Sequence, residues 1–160
     1  MNFNASEVLQ MAEQIERNGA SFYRRAAEFV EGEDARKMLL ELADMEDDHE
    51  HTFQDMAGEI DFEAASLDPD GQAAAHMEMI ADGHVFDVKT DPAELLTGKE
   101  SFEEILRLAI GHEKDSIVFY EGVKSMVPAK PGKERVDSVI KEELKHIALL
   151  SRQLKQLRDA

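Results

Sequence analysis

The chain has 160 residues, 42% hydrophobic and 33% charged, the balance of a folded domain with enough apolar material for a sizeable core. Acidic residues outnumber basic ones 35 to 18, and the net charge of −17 repels nucleic acid and anionic membrane, excluding both as expected partners. Cysteine is absent, which excludes disulfides and thiolate metal sites within these residues and fits a cytoplasmic location.

The stretch from Met1 to Glu16 lacks the basic and apolar regions of a signal peptide, and no window approaches the roughly 18 uninterrupted apolar residues of a membrane helix. One soluble domain over residues 1–160 is the expectation. A first helix is predicted from about Ser6 to Val30, with Val8, Met11, Ala12, Ile15, Gly19, Phe22, Ala26 and Phe29 on one stripe, and Glu31-Gly32 ending it. A second begins near Glu33 or Asp34 and runs to about Ala57, turning Met38, Leu39, Leu42, Met45, Phe53 and Met56 inward, with Gly58 as its C-cap.

From Glu59 to Lys99 the character changes. Asp68-Pro-Asp-Gly71, Asp82-Gly83 and Asp91-Pro92 mark turns, with one short helix expected near Gln72–Ala81. Ser101-x-x-Glu104 is a capping box for a third helix running to about Val127, closed by Pro128. A fourth starts near Pro131 and reaches about Leu157. Short links join helix one to two and three to four, so each pair is an antiparallel hairpin. A connector of about 40 residues far exceeds a usual loop, and it suits a return along helices roughly 38 Å long. The expected fold is an all-α four-helix bundle with one long crossover, containing a short helix, between helices two and three.

The chemistry lies in a repeat. Glu16, Phe22 and Tyr23 of the first helix match Glu113, Phe119 and Tyr120 of the third at equal spacing, and the chain has no other tyrosine. Glu46-x-x-His49 of the second helix matches Glu143-x-x-His146 of the fourth. Glu143 and His146 interrupt the apolar stripe of Val139, Ile140, Ile147 and Leu150. Residues three apart share a helix face, so each Glu-x-x-His presents both heads to one point. Two hairpins related by a two-fold repeat would then converge four carboxylates and two imidazoles at the bundle centre. Four buried, unpaired carboxylates would cost too much, so they must be protonated or neutralised by cations. Two divalent ions balance four glutamates, and the mixed oxygen and nitrogen donors suit iron or manganese.

One glutamate from each of two helices plus Glu-x-x-His from each of the other two resembles the ferritin-like di-iron and di-manganese carboxylate pattern, and more narrowly the rubrerythrin-like proteins, over essentially the whole chain. The resemblance implies that Glu16 and Glu113 are terminal ligands, that Glu46 and Glu143 bridge two metals, and that His49 and His146 each bind one. It also implies a hydrogen bond from Tyr23 and from Tyr120 to a ligand carboxylate. The implied cofactor is a pair of iron ions, with manganese or a mixed pair using the same ligands. The implied function is an oxidoreductase that reduces peroxide or O₂; the alternatives are a ferroxidase and a bundle with a structural metal pair. The family also implies a homodimer, in which helix pairs are sometimes exchanged between chains.

Two features depart from rubrerythrins proper. Their four-cysteine rubredoxin iron has no counterpart here, so an external electron donor such as a rubredoxin is expected. Ile110 stands one turn before Glu113, where a further ligand glutamate would be needed for rubrerythrin's redox-linked ligand exchange. Of the remaining candidates, Glu13 has no repeat partner, and His51 and His112 are expected to point away from the centre. His76 and His84 are expected to bind nothing, and the eight methionines are expected to fill core.

Overall fold

The computed structural model describes residues 4–60, 75 and 91–160. Four long helices carry the fold: α1 (Ala5–Phe29), α2 (Glu33–Glu59), α3 (Phe102–Lys124) and α4 (Glu134–Asp159). Their starts are set by local chemistry. Asn4 Oδ1 accepts from the Glu7 amide at 2.9 Å while Glu7 accepts from the Asn4 amide at 3.1 Å, a reciprocal box at the head of α1. Ser101 Oγ accepts from the Glu104 amide at 3.1 Å and starts α3 where the sequence places it. Gly32, at φ 97°, turns the chain from α1 into α2 in a conformation that side-chain-bearing residues rarely adopt.

Three boundaries differ from expectation. Gly58 is helical, and α2 ends instead at Ile60, whose amide bonds to Met56 O at 3.0 Å. α3 stops at Lys124 rather than Val127, because Pro128 lacks an amide and disfavours helical backbone before it. A π-helical turn, Ala129–Lys133, follows Pro128, closed by the Lys133 amide on Pro128 O at 2.9 Å, and α4 begins only at Glu134. The described end of the crossover holds a single helical turn, Pro92–Leu95, capped by Asp91. The short helix expected near Gln72–Ala81, with His76 and His84, lies outside the described residues.

The core divides into two apolar clusters. One joins Val8 and Ile15 of α1, Phe53 and Met56 of α2, Phe119 of α3 and Val139 of α4. The other joins Phe22 of α1, Leu39 and Leu42 of α2, Ile105 and Leu106 of α3, and Leu150 of α4. The first cluster takes the N-terminal halves of α1 and α4 and the C-terminal halves of α2 and α3; the second takes the opposite halves. Each hairpin is therefore antiparallel, while α2 and α3 run parallel, and that is why a long return is needed between them. Met45, expected inside, is 39% exposed at the edge of α2. Among the described residues no helix is long and apolar enough to cross a membrane.

Candidate metal centre

Between the two apolar clusters lies a polar layer. Glu16, Glu46, His49, Glu113, Glu143 and His146 are all buried, none more than 3% exposed. Each helix contributes to it through the face that its apolar neighbours drive inward, so burial of these groups follows from the stripes in which they sit.

The six side chains form two overlapping groups. Donor atoms of Glu16, Glu46, His49 and Glu143 lie within 4.8 Å of one another, and so do those of Glu46, Glu113, Glu143 and His146. Glu46 and Glu143 belong to both groups. The imidazoles stack with centroids 5.8 Å apart. Both face the layer through Nδ1: His49 Nδ1 stands 2.7 Å from Glu143 Oε1 and 3.5 Å from Glu16 Oε2. His146 Nδ1 stands 3.3 Å from both Glu46 Oε1 and Glu143 Oε2, and 3.6 Å from Glu113 Oε1.

The two tyrosines cross between hairpins. Tyr23 Oη donates to Glu113 Oε1 at 2.6 Å, and Tyr120 Oη donates to Glu16 Oε1 at 2.5 Å. Each hydroxyl thus reaches the first-helix-type glutamate of the other half, which ties the hairpins together across the layer. Burial, reinforced by the surrounding carboxylates, holds both phenols well above their ordinary pKa, so they stay donors.

Electrostatics show what the layer must accommodate. Burial and the nearby Glu143 raise the Glu16 carboxyl above its usual range. Burial, with Glu143 and Glu16 as like charges, pushes Glu46 well above it. Burial opposes ionisation of Glu143 as well, yet contacts from His146 and His49 outweigh it and lower that carboxyl to about 2. His49 shows the converse: burial disfavours its charge, but Glu143 and Glu16 raise it to about 11. Even so, Glu16 Oε2, Glu46 Oε1, Glu113 Oε2, Glu143 Oε2 and His146 Nδ1 are buried with no hydrogen-bond partner among the described residues. Buried polar atoms are rarely left so, and five of them on one layer fit a site built for cations.

Beyond the expected residues, the outer nitrogens of both histidines have partners that the repeat did not reveal. His49 Nε2 is 2.5 Å from Glu142 Oε2, and His146 Nε2 is 3.2 Å from Met45 Sδ. The signal was present only as position: Met45 precedes Glu46 as Glu142 precedes Glu143. His112 corrects an expectation, since its ring turns inward. A Cβ on Gly19 would lie 3.0 Å from both His112 Nε2 and Glu46 Oε2, so the bare glycine makes room for both groups. Burial lowers the His112 pKa. His51 is exposed, and Glu13 takes no part in either group.

The family model described as Rubrerythrin matches residues 7–154. The structure also resembles the crystal structure of a Thermotoga maritima protein, with a TM-score of 0.75 and 27% identity over 97% of each chain. That protein's assignment as a ferritin-like diiron-carboxylate protein is itself provisional. No curated protein matches the sequence significantly. A four-helix bundle with a long crossover, a buried layer of four glutamates and two histidines, and a family match across nearly the whole length together show that this chain belongs to the rubrerythrin family.

Proposed function

We propose that the six buried side chains hold two iron ions, and that the protein is an oxidoreductase reducing peroxide or O₂ with electrons from an external donor. The sharing of Glu46 and Glu143 between the two donor groups carries this reading, because shared carboxylates are what a bridged pair requires. Glu16 and His49 complete one position, and Glu113 and His146 the other. Two divalent ions neutralise four carboxylates and supply partners for the orphaned atoms. Manganese or a mixed pair fits the same donors.

An iron pair, when bound, supplies the two electrons that peroxide consumes, with two protons, in becoming two waters. The protein's own groups prepare for that exchange. To hold a cation, His49 would give up the proton at Nδ1, with its Nε2–H donated to Glu142. Tyr23 and Tyr120 hold one oxygen each of Glu113 and Glu16, fixing where the other oxygen points. The apolar clusters on either side exclude water and keep these electrostatic contacts strong. The electrons would come from an external donor such as a rubredoxin, and a cytoplasmic homodimer fits the family.

Stopped-flow mixing of anaerobic, ferrous protein with peroxide and with O₂ tests the reading. Rapid oxidation by at least one of them is expected, and inertness to both would sink it. A second reading, oxidation of incoming Fe(II), is favoured by a cleft of about 360 Å³ that reaches His49 and is lined by Asp48, Asp55 and Glu142. Repeated turnover of excess Fe(II), several ions per chain, would select it.

A further inference from the structure

Resting on the metal-pair reading, we infer that the two positions are chemically unequal: Glu142 holds the outer nitrogen of His49 and Met45 that of His146, so a divalent cation fills the His49 position first and more tightly. The contrast comes from one register position of the repeat. Glu142 and Met45 each precede a shared glutamate, and each reaches across to the histidine of the other hairpin. One is an anion that accepts the ring N–H strongly. The other is a thioether, a weak and neutral acceptor.

The consequences follow from how imidazole binds metals. A carboxylate on Nε2–H fixes the tautomer, so that the Nδ1 lone pair is always directed into the layer, and it makes that nitrogen a better donor. It also places one more negative charge near the cation. His146 receives the same orientation from Met45 only weakly and gains no charge. The inner ligands are otherwise matched: each position takes one terminal glutamate, one histidine and the same two shared carboxylates. Among the partners of the two outer ring nitrogens, the inequality is between an anion and a neutral thioether. Glu142 is a positioning residue, acting through His49.

Titration of the full chain with Co(II), followed by calorimetry and visible absorption, reads the two positions directly. Two stages are expected, separated by about 10- to 100-fold in affinity, the usual worth of such a partner. His49→Ala should delete the tighter stage and His146→Ala the weaker one. Glu142→Gln should weaken the tighter stage about 10-fold, leave the weaker one unchanged, and alter only the first visible spectrum. Glu142→Asp should recover part of the loss, and Met45→Glu should tighten the weaker stage. Both altered side chains lie at the surface, Glu142 at 51% and Met45 at 39% exposure, so helical content should be unchanged. Two equal affinities in the unaltered protein, or a Glu142→Gln titration identical to it, would overturn the inference while leaving the metal pair standing. Failure to bind Co(II) at all would overturn the pair reading, and the inference with it.

Discussion

Tyr23 and Tyr120 occupy equivalent places and make equivalent bonds, so removing either hydroxyl should have equal effects. Tyr23→Phe and Tyr120→Phe each leave a buried carboxylate oxygen without its donor and are expected to cost about 1–3 kcal/mol in urea unfolding of the metal-free protein. Markedly unequal losses would contradict the two-fold reading. The ionisable groups make a second prediction. In the metal-free fold His49 keeps its proton up to about 11, and Glu16 and Glu46 hold theirs above the ordinary carboxylate range. The unfolded chain releases those protons earlier, so the stability they contribute is present at low pH and lost as pH rises. Glu143, depressed to about 2, acts in the other direction, but only as pH falls below its unfolded value toward 2. His112, held below its usual value by burial, also gains stability with pH, but only up to about its ordinary imidazole value. The melting temperature of metal-free protein should therefore fall between about pH 7 and about pH 9, and a rise over that range would contradict the account. All six layer residues were legible because the chain states them twice at one spacing. Glu142 and Met45 were not: they share a register position but no chemistry, and only the packing of the hairpins brings both to a histidine. Nor could periodicity place His112, whose inward ring depends on a glycine of another helix.

Gly19 is where α1 trades side chain for proximity. Gly19→Ala gains helix propensity in α1, but its methyl group crowds both Glu46 and His112, which must shift to admit it. Calorimetric Co(II) binding should weaken by about 10-fold. Unchanged affinity would show that Glu46 and His112 adjust freely. Helix existence, pairing and direction were all readable, since long stripes and short links leave few alternatives. The ends were less so. Gly58 was expected to cap α2, yet nothing forces a positive φ there and the helix runs through it. Pro128 acted one turn earlier than expected, and the π-helical turn after it depends on packing at the bundle's end rather than on any sequence signal. Met45 fell outside the stripe because the site, not the core, engages its sulfur.

At the scale of the molecule, a charge of −17 surrounds a bundle whose centre holds four buried carboxylates. Self-repulsion should make the metal-free protein salt-sensitive. Raising NaCl from about 0.01 M to about 0.5 M shortens the screening length several-fold and should raise its melting temperature. Cations at the centre should raise it further, and more strongly than the same ionic strength of NaCl, because they bind the folded layer. The central claim is that one shared layer holds two metals. Elemental analysis of protein equilibrated anaerobically with Fe(II) and freed of excess tests it most directly, alongside Glu143→Ala, which removes a ligand common to both positions. Two irons per chain, falling below one in Glu143→Ala, is the predicted result. Folded protein without iron, or a Glu143→Ala variant that still holds two, would contradict it.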